Sequence, residues 1–379
     1  QDVPDLISTV PGVFTNSNGL GEGEIYVRGF DAEHIQIMIN GVPVNDPESQ
    51  KTYWSNWSGL SSSAKDIQIQ RGVGSSLYGS GSFGGSVNIE YGDFNPEREI
   101  IVYTAGVDYS TKSGGTARNG VLGFKYTSGL SENGKWNFLF GYENKSGDSY
   151  VRNTNYRGHS ITAGAEYFSG KHKLTFNFVG APQSHNQART SQDLALIKIL
   201  GREYNRNDHR YQENYYFKPQ YELHHKWLIN NNTQWNTNVF YTTGKGGGTY
   251  LRNDSFDVNT GQVNFKNASD ATDAKYFGRH ALYIFQKTGQ SLSGFNSADS
   301  MYTYRGSTSK VTRASNLLSS TFAHSWRNDS HSEHSQIGFN TIFRKDLNEK
   351  ITFTTGGEFR YWQDRKSTRL NPVTWPSRM

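Results

Sequence analysis

The sequence predicts a mainly β protein, a small α+β module at the N-terminus followed by strands of an antiparallel transmembrane β-barrel. Three observations carry this reading. Aromatic residues make up 14% of the chain although only 34% of it is hydrophobic and the mean hydropathy is -0.74. From Glu99 onward, apolar and polar residues alternate with period two over stretches of about ten residues. Between those stretches, short turns alternate with long connections.

A disordered chain would be poor in aromatics. Low hydropathy together with 23 Tyr, 22 Phe and 8 Trp arises instead when apolar side chains alternate with polar ones, as in a wall with lipid on one side and water on the other. No run of about eighteen apolar residues occurs, so any membrane crossing must use strands. The 40 glycines and 9 prolines follow no collagen-like or linker-like period. The absence of cysteine removes disulfides, thiolate metal sites and cysteine nucleophiles. The net charge of +5 is dispersed, with no basic run to suggest nucleic acid. Gln1 is not an initiator and no leader precedes Asp2, so the natural start is expected upstream.

In residues 1–95, Glu24 to Val27, Ile35 to Ile39, Ile67 to Ile69 and Ser86 to Glu90 read as short strands between glycine-rich turns. Asp2 to Thr9 has the spacing of a short helix, stopped by Pro11-Gly12. Four motifs follow in order: Asp5-Leu6-Ile7 through Val10-Pro11-Gly12-Val13; Ile25-Tyr26-Val27-Arg28-Gly29-Phe30; Ile37-Met38-Ile39-Asn40-Gly41-Val42-Pro43; and Ile67-Gln68-Ile69-Gln70-Arg71-Gly72 with Ser76 to Gly81 and Gly84 to Ile89. Their order and spacing closely resemble the plug domain of TonB-dependent outer-membrane receptors. One departure is Asn40, where that family usually has Asp; both residues cap a turn and tolerate a left-handed backbone. A phosphate-cradle reading of Gly72 to Gly85 fails, because no Lys-Ser/Thr follows and the next element is a strand.

From Glu99 the strand pattern is regular. Trp136, Phe138, Phe140 and Tyr142 share one face, as do Leu174, Phe176 and Phe178, Trp235, Val239 and Tyr241, Ile337, Phe339 and Phe343, and Ile351, Phe353, Phe359 and Tyr361. The turns Leu130 to Lys135, Ser169 to Lys171, Ile229 to Asn232 and Asp346 to Lys350 are short, whereas Lys145 to Gly158, Ala181 to Glu213 and Lys245 to about Glu333 are long. Outer-membrane barrels show this asymmetry. Leu317 to Trp326 is read as a strand inside the long loop, so that Asp346 stays at the short-turn end. The resemblance implies a barrel of about 22 strands around a plugged lumen, of which about nine or ten fit here. The expected division is therefore a plug at 1–95 lacking its N-terminal part, an incomplete barrel at 96–364, and a non-barrel tail at 365–379 where the alternation stops.

No catalytic constellation stands out. The 11 histidines are scattered, and carboxylate pairs such as Asp270 with Asp273 have no nucleophile around them, so neither an enzyme, a resident cofactor nor a metal centre is expected. Binding residues are expected on loops. Asn16 and Asn18 lie in one segment and Tyr53, Trp54 and Trp57 in another, where the resembled family presents its external apices; clustered rings suit stacking on a ring-bearing ligand. The long loops add His185, Arg189, Tyr204, Arg206 and His209, a mildly basic set suited to anionic chelates. The resemblance also implies that Arg28 and Arg71 latch the plug by pairing with barrel carboxylates. It further implies TonB and outer-membrane lipid as partners, and import of a ferric siderophore or related iron or cobalamin complex. A glycan importer is the alternative within transport, disfavoured because Gln70-Arg71-Gly72-Val73-Gly74 stands where such importers usually continue through Lys-Asp-Ala. A non-transporting surface binding module is the alternative of another class, and it would need no plug.

Overall fold

The computed structural model describes residues 3–72, 83–110, 116–187, 197–198, 201–203, 205, 213–252, 255–256, 263–264 and 326–372. The chain divides into two compact units. The first holds residues 1–189, 214–246 and 332–366; the second holds 190–213, 247–331 and 367–379. In the first unit, helix α1 (Val3–Ile7) carries Pro4 and Asp5 in its first turn, residue types suited to that place, and buries Val3 and Ile7 at i, i+4 spacing. A hairpin follows, β1 (Val13–Gly19) and β2 (Glu22–Val27), with Val13 opposite Val27.

The plug's main sheet has four strands. These are β3 (Ile35–Ile39), β4 (Val42–Pro43), β5 (Ala64–Arg71) and β6 (Gly85–Tyr91), ordered β4-β3-β6-β5 with β3 and β6 parallel. Asn40 and Gly41 join β3 to β4 with φ of 50° and 77°, the two-residue hairpin loop with both positions left-handed for which Asn-Gly is the favoured pair. A short helix, α2 (Leu60–Ser63), leads into β5. Val27, Ile37, Ile39, Leu60, Val87 and Ile89 form the buried core of this module. The predicted plug strands are all present; β1 and the two-residue β4 are additional.

The barrel wall runs through β7 (Glu99–Ser110), β8 (Thr116–Thr127), β9 (Trp136–Gly147), β10 (Tyr156–Ser169), β11 (His172–Gly180), β12 (Gln183–Asn186), β13 (Glu213–Phe217), β14 (Gln220–Asn230) and β15 (Thr233–Arg252). Two two-residue strands follow, β16 (Ser255–Phe256) and β17 (Val263–Asn264), which pair with each other in the second unit. The long strands β18 (Trp326–Asn348) and β19 (Ile351–Pro372) come last. Antiparallel neighbours run β7, β8, β9, β10, β11, β14, β15, and β18 lies between β15 and β19, which makes nine long strands among the described residues. β12 pairs with β10 and β13 with β12 and β15, so both are short additions to the same sheet.

The wall reverses the usual burial pattern. Along β9, Trp136, Phe138 and Phe140 are 40–48% exposed while Asn137, Glu143 and Lys145 are buried. A sheet with an apolar outer face and polar residues turned onto a filled lumen gives this order, as a lipid-facing barrel requires. The tight turns predicted near Gly170, Asn231-Asn232 and Glu349-Lys350 are where strands reverse. No helix among the described residues is long and apolar enough to cross a membrane.

One boundary is corrected. The expected non-barrel tail from 365 does not begin there, because β19 continues to Pro372. β18 and β19 span 23 and 22 residues on either side of one turn, and backbone pairing between such arms does not need side-chain alternation. Residues 373–379 lie outside the described residues, as does the predicted strand Leu317 to Trp326 apart from Trp326 itself.

Candidate functional site

The plug meets the wall's inner face through polar contacts that the fold brings from far apart in sequence. At the loop between β3 and β4, Asn40 Nδ2 donates to Glu222 Oε2 at 2.9 Å, across 182 residues. The same Asn40 accepts from the Tyr91 backbone N–H through Oδ1 at 3.0 Å, so its side chain is fixed from both ends. Glu222 lies on β14 with a fully buried side chain. It also accepts from Gln220 Nε2 at 2.6 Å, lies 2.8 Å from His224 Nε2 and faces the Tyr91 hydroxyl at 3.5 Å. Burial, then the neighbouring Glu222 carboxylate, push the Tyr91 hydroxyl well above its ordinary pKa, which keeps it a protonated donor. Asn340 of β18 donates from Nδ2 to the Gly41 carbonyl at 3.2 Å.

A second contact lies at α2. Ser62 Oγ is 2.6 Å from Glu143 Oε2, which also accepts from the Tyr103 hydroxyl at 2.9 Å. Gly59 packs here so closely that a Cβ would meet Ser160 Cβ at 2.4 Å. Asn137 Nδ2 adds a bond to the Asn95 carbonyl at 2.8 Å. A buried carboxylate is costly unless it is hydrogen-bonded, and both glutamates are satisfied largely by neutral donors. Beside Asn40 and Tyr91 lies a cavity of about 810 Å³. Asn177, Asn236 and Asn238 line it with side-chain polar atoms that no protein group satisfies, a surface suited to water or a polar solute.

At the long-loop end, Lys218 follows β13, is buried, and holds its ammonium 5.8 Å from the centre of the Trp57 ring. Tyr216 Oη lies 2.8 Å from His334 Nδ1, with the two rings stacked at 5.9 Å. Gly21, at the tip of the β1–β2 hairpin, comes so close to Tyr156 that a Cβ would lie 2.5 Å from its ring, and His185 stacks on the other side of this network at 5.9 Å from Tyr156.

The predicted binding residues divide accordingly. Tyr53 is exposed, Asn16 is exposed opposite Glu24 in the β1–β2 hairpin, and Asn18 sits at that hairpin's tip. Trp54 and Trp57 are not available to a ligand as predicted, since both are buried in the plug core. The 3-10 turn Trp54–Trp57 rolls the two indoles inward together. His185 is buried with Nδ1 2.6 Å from Gln183 Oε1. Arg189 and Arg206 lie outside the described residues.

The predicted latch by Arg28 and Arg71 is also corrected. Both arginines are exposed; Arg71 Nη1 donates to the Pro11 carbonyl at 3.1 Å, and the Arg28 guanidinium lies 3.2 Å from where a Gly72 Cβ would stand. They join segments of the plug to one another, because Arg28 itself sits in a left-handed turn at φ 54° that carries its side chain toward plug backbone. The wall contacts include Asn40, which sequence reading had treated only as a turn residue, and Ser62, which it had not singled out. The usable signal was parity: Glu143 and Glu222 are carboxylates on the inward face of otherwise lipid-facing strands.

Comparison with known proteins agrees with this architecture. Residues 1–86 match the TonB-dependent receptor plug domain. Over 137 residues the chain is 31% identical to the vitamin B12 transporter BtuB of Photobacterium profundum, covering 35% of this chain and 21% of that protein. Over 103 residues it is 31% identical to the probable TonB-dependent siderophore receptor PirA of Acinetobacter baumannii, covering 24% of this chain and 14% of that protein. In structure it is similar to the unliganded ferric citrate transporter FecA, with a TM-score of 0.66 at 12% identity, covering 98% of this chain and 46% of that one. The ferric preacinetobactin receptor BauA of Acinetobacter baumannii gives 0.60 at 10% identity, with 100% and 46% covered. The chain thus spans about half the length of these solved structures, and its matches cover about a fifth or less of those two relatives. With a plug carrying four ordered motifs seated on the polar inner face of aromatic-clad strands, residues 1–86 match the plug domain of TonB-dependent receptors and the chain shares the fold of solved receptors of that kind.

Proposed function

We propose that the protein of which this chain forms part is an outer-membrane importer that binds a scarce, bulky nutrient at its long-loop end. It admits that nutrient when energy relayed by TonB displaces the plug. A ferric siderophore or a cobalamin is the favoured cargo. The observation that carries this reading is a plug hydrogen-bonded to the inside of a lipid-facing wall. A passive pore has no use for such a module, and an adhesive surface domain would bury its aromatic face. Cargo preference is supported by sequence relatives described as a vitamin B12 transporter and siderophore receptors. Tyr53, Asn16 and Asn18 remain the plug residues proposed to meet ligand, and Arg189 and Arg206 the loop residues. Residues 1–95 are proposed as the plug and the strands from 96 onward as wall.

The test is growth of a receptor-deficient host carrying the full-length gene on ferric siderophores, haem, cobalamin or oligosaccharides, with and without TonB. Rescue by one iron or cobalamin source that requires TonB is expected. Rescue only on oligosaccharides would move the cargo to glycans, and rescue independent of TonB would remove active import.

A further inference from the structure

We infer that the Asn40–Glu222 contact is the lock that holds the plug against the β14 wall, and that it demands an uncharged donor at position 40. This rests on the importer reading only in taking residues 1–95 as a plug that must both stay seated and be released. Three features of the site converge. The Asn40 Nδ2 is the atom that reaches Glu222 Oε2, at 2.9 Å. Its backbone is left-handed at φ 50°, a conformation that Asp also tolerates, and its Oδ1 bond to the Tyr91 N–H is one that a carboxylate would keep. Replacing Asn40 by Asp therefore leaves the turn and the Tyr91 bond in place and changes one thing, the Nδ2–Glu222 bond.

What replaces that bond is two carboxylates at hydrogen-bond distance. Glu222 cannot turn away, because Gln220, His224 and Tyr91 hold it and its side chain is fully buried. Like charges juxtaposed in such a place are strongly unfavourable. The wall glutamate and the plug amide are thus a matched pair, and the cavity bordered by Asn40, Tyr91 and His224 gives the loop room to move once the pair is broken. The other contacts, Ser62 with Glu143, Asn137 with the Asn95 carbonyl and Lys366 with Glu48, lie away from β14 and still hold the plug when Asn40 lets go.

The experiment uses the full-length receptor in outer membranes. Residues 1–379 hold no cysteine, so in a receptor with any cysteine elsewhere replaced, a single Ser86→Cys on buried strand β6 reports plug opening by its rate of labelling with a membrane-impermeant thiol reagent at sub-denaturing urea. In this background Asn40→Asp is expected to speed labelling by about tenfold or more, and Asn40→Asp with Glu222→Gln to return it to within about twofold of the parent. Glu222→Gln alone keeps an acceptor for Asn40 and is expected to change little. Should Asn40→Asp receptor fail to accumulate, recovery of assembled receptor by Glu222→Gln is the same readout. Unchanged labelling in Asn40→Asp, or equal acceleration with and without Glu222→Gln, would overturn the lock. Either result leaves the TonB-dependent growth assay of the parent receptor untouched.

Discussion

The plug and the wall are built by opposite rules from the same alphabet. In the plug, apolar residues such as Ile39, Leu60 and Ile89 are sealed inside, and polar residues face out. In the wall, Phe138, Phe140 and Phe176 face out, and Glu143, Glu166 and Glu222 are buried. Where the two meet, the plug's polar exterior is therefore matched to the wall's polar interior. Their contact is made largely of hydrogen bonds such as Asn40–Glu222 and Ser62–Glu143, with Val179 of β11 reaching into the plug's hydrophobic cluster. Such contacts contribute little net stability each but are specific in partner, in keeping with the proposed displacement of the plug.

That contrast can be broken from either side. The largest effect is expected in the plug core, where Ile89→Ala should cost about 2–5 kcal/mol by leaving a cavity among Ile37, Ile39 and Val87. The check is the urea midpoint of plug proteolysis, with the wall's heat-modified gel mobility unchanged. On the wall the opposite substitution hurts: Phe140→Arg should cost about 2–4 kcal/mol if its outward face lies in lipid, measured as reversible folding into bilayers. The same arginine at the inward position Asn137 should be tolerated far better in that bilayer assay without the plug. At the interface Gly59→Ala should cost about 1–3 kcal/mol, since its φ is 76° and the new Cβ meets Ser160. Thiol-reporter opening of the plug should accelerate accordingly.

The smallest expected effect concerns Tyr91. Its folded pKa is raised well above that of an unfolded tyrosine, so the folded state keeps its proton where the unfolded chain loses it. The stability it contributes is present below about pH 10 and is lost as pH rises above that value. Tyr91→Phe should cost about 0.5–1.5 kcal/mol at neutral pH and should flatten the alkaline fall in plug stability. An unchanged alkaline slope would remove Tyr91 from the interface described here.

The wall was largely legible because side chains alternate strictly along a strand, so parity assigned the lipid face of β9, β11, β15 and β19 without knowledge of pairing. The plug strands were legible from β-branched runs between turns, and Asn40-Gly41 as a turn from its own left-handed preference. Packing was less legible. Trp54 and Trp57 read equally well as a ligand platform or as rings packed on the barrel wall, and only the direction of a 3-10 turn put them inside the plug core. Arg28 and Arg71 carried the right charge for a latch, but the backbone around them aims at plug carbonyls and glycines. The end of β19 was missed because the sequence pattern tracks the surroundings of side chains, whereas strand pairing is a property of the backbone.

By itself, then, the sequence determined the class of the fold, the order of plug and wall, the face each strand turns to lipid and the motifs that mark the family. These rest on local backbone preference and on a two-residue period, and both are readable from neighbours in the chain. The tertiary structure alone decided which plug residue meets which wall residue. Asn40 and Glu222 are 182 positions apart and share no local signal. Their contact exists because the β3–β4 turn and the inward face of β14 are brought to one place by every strand between them.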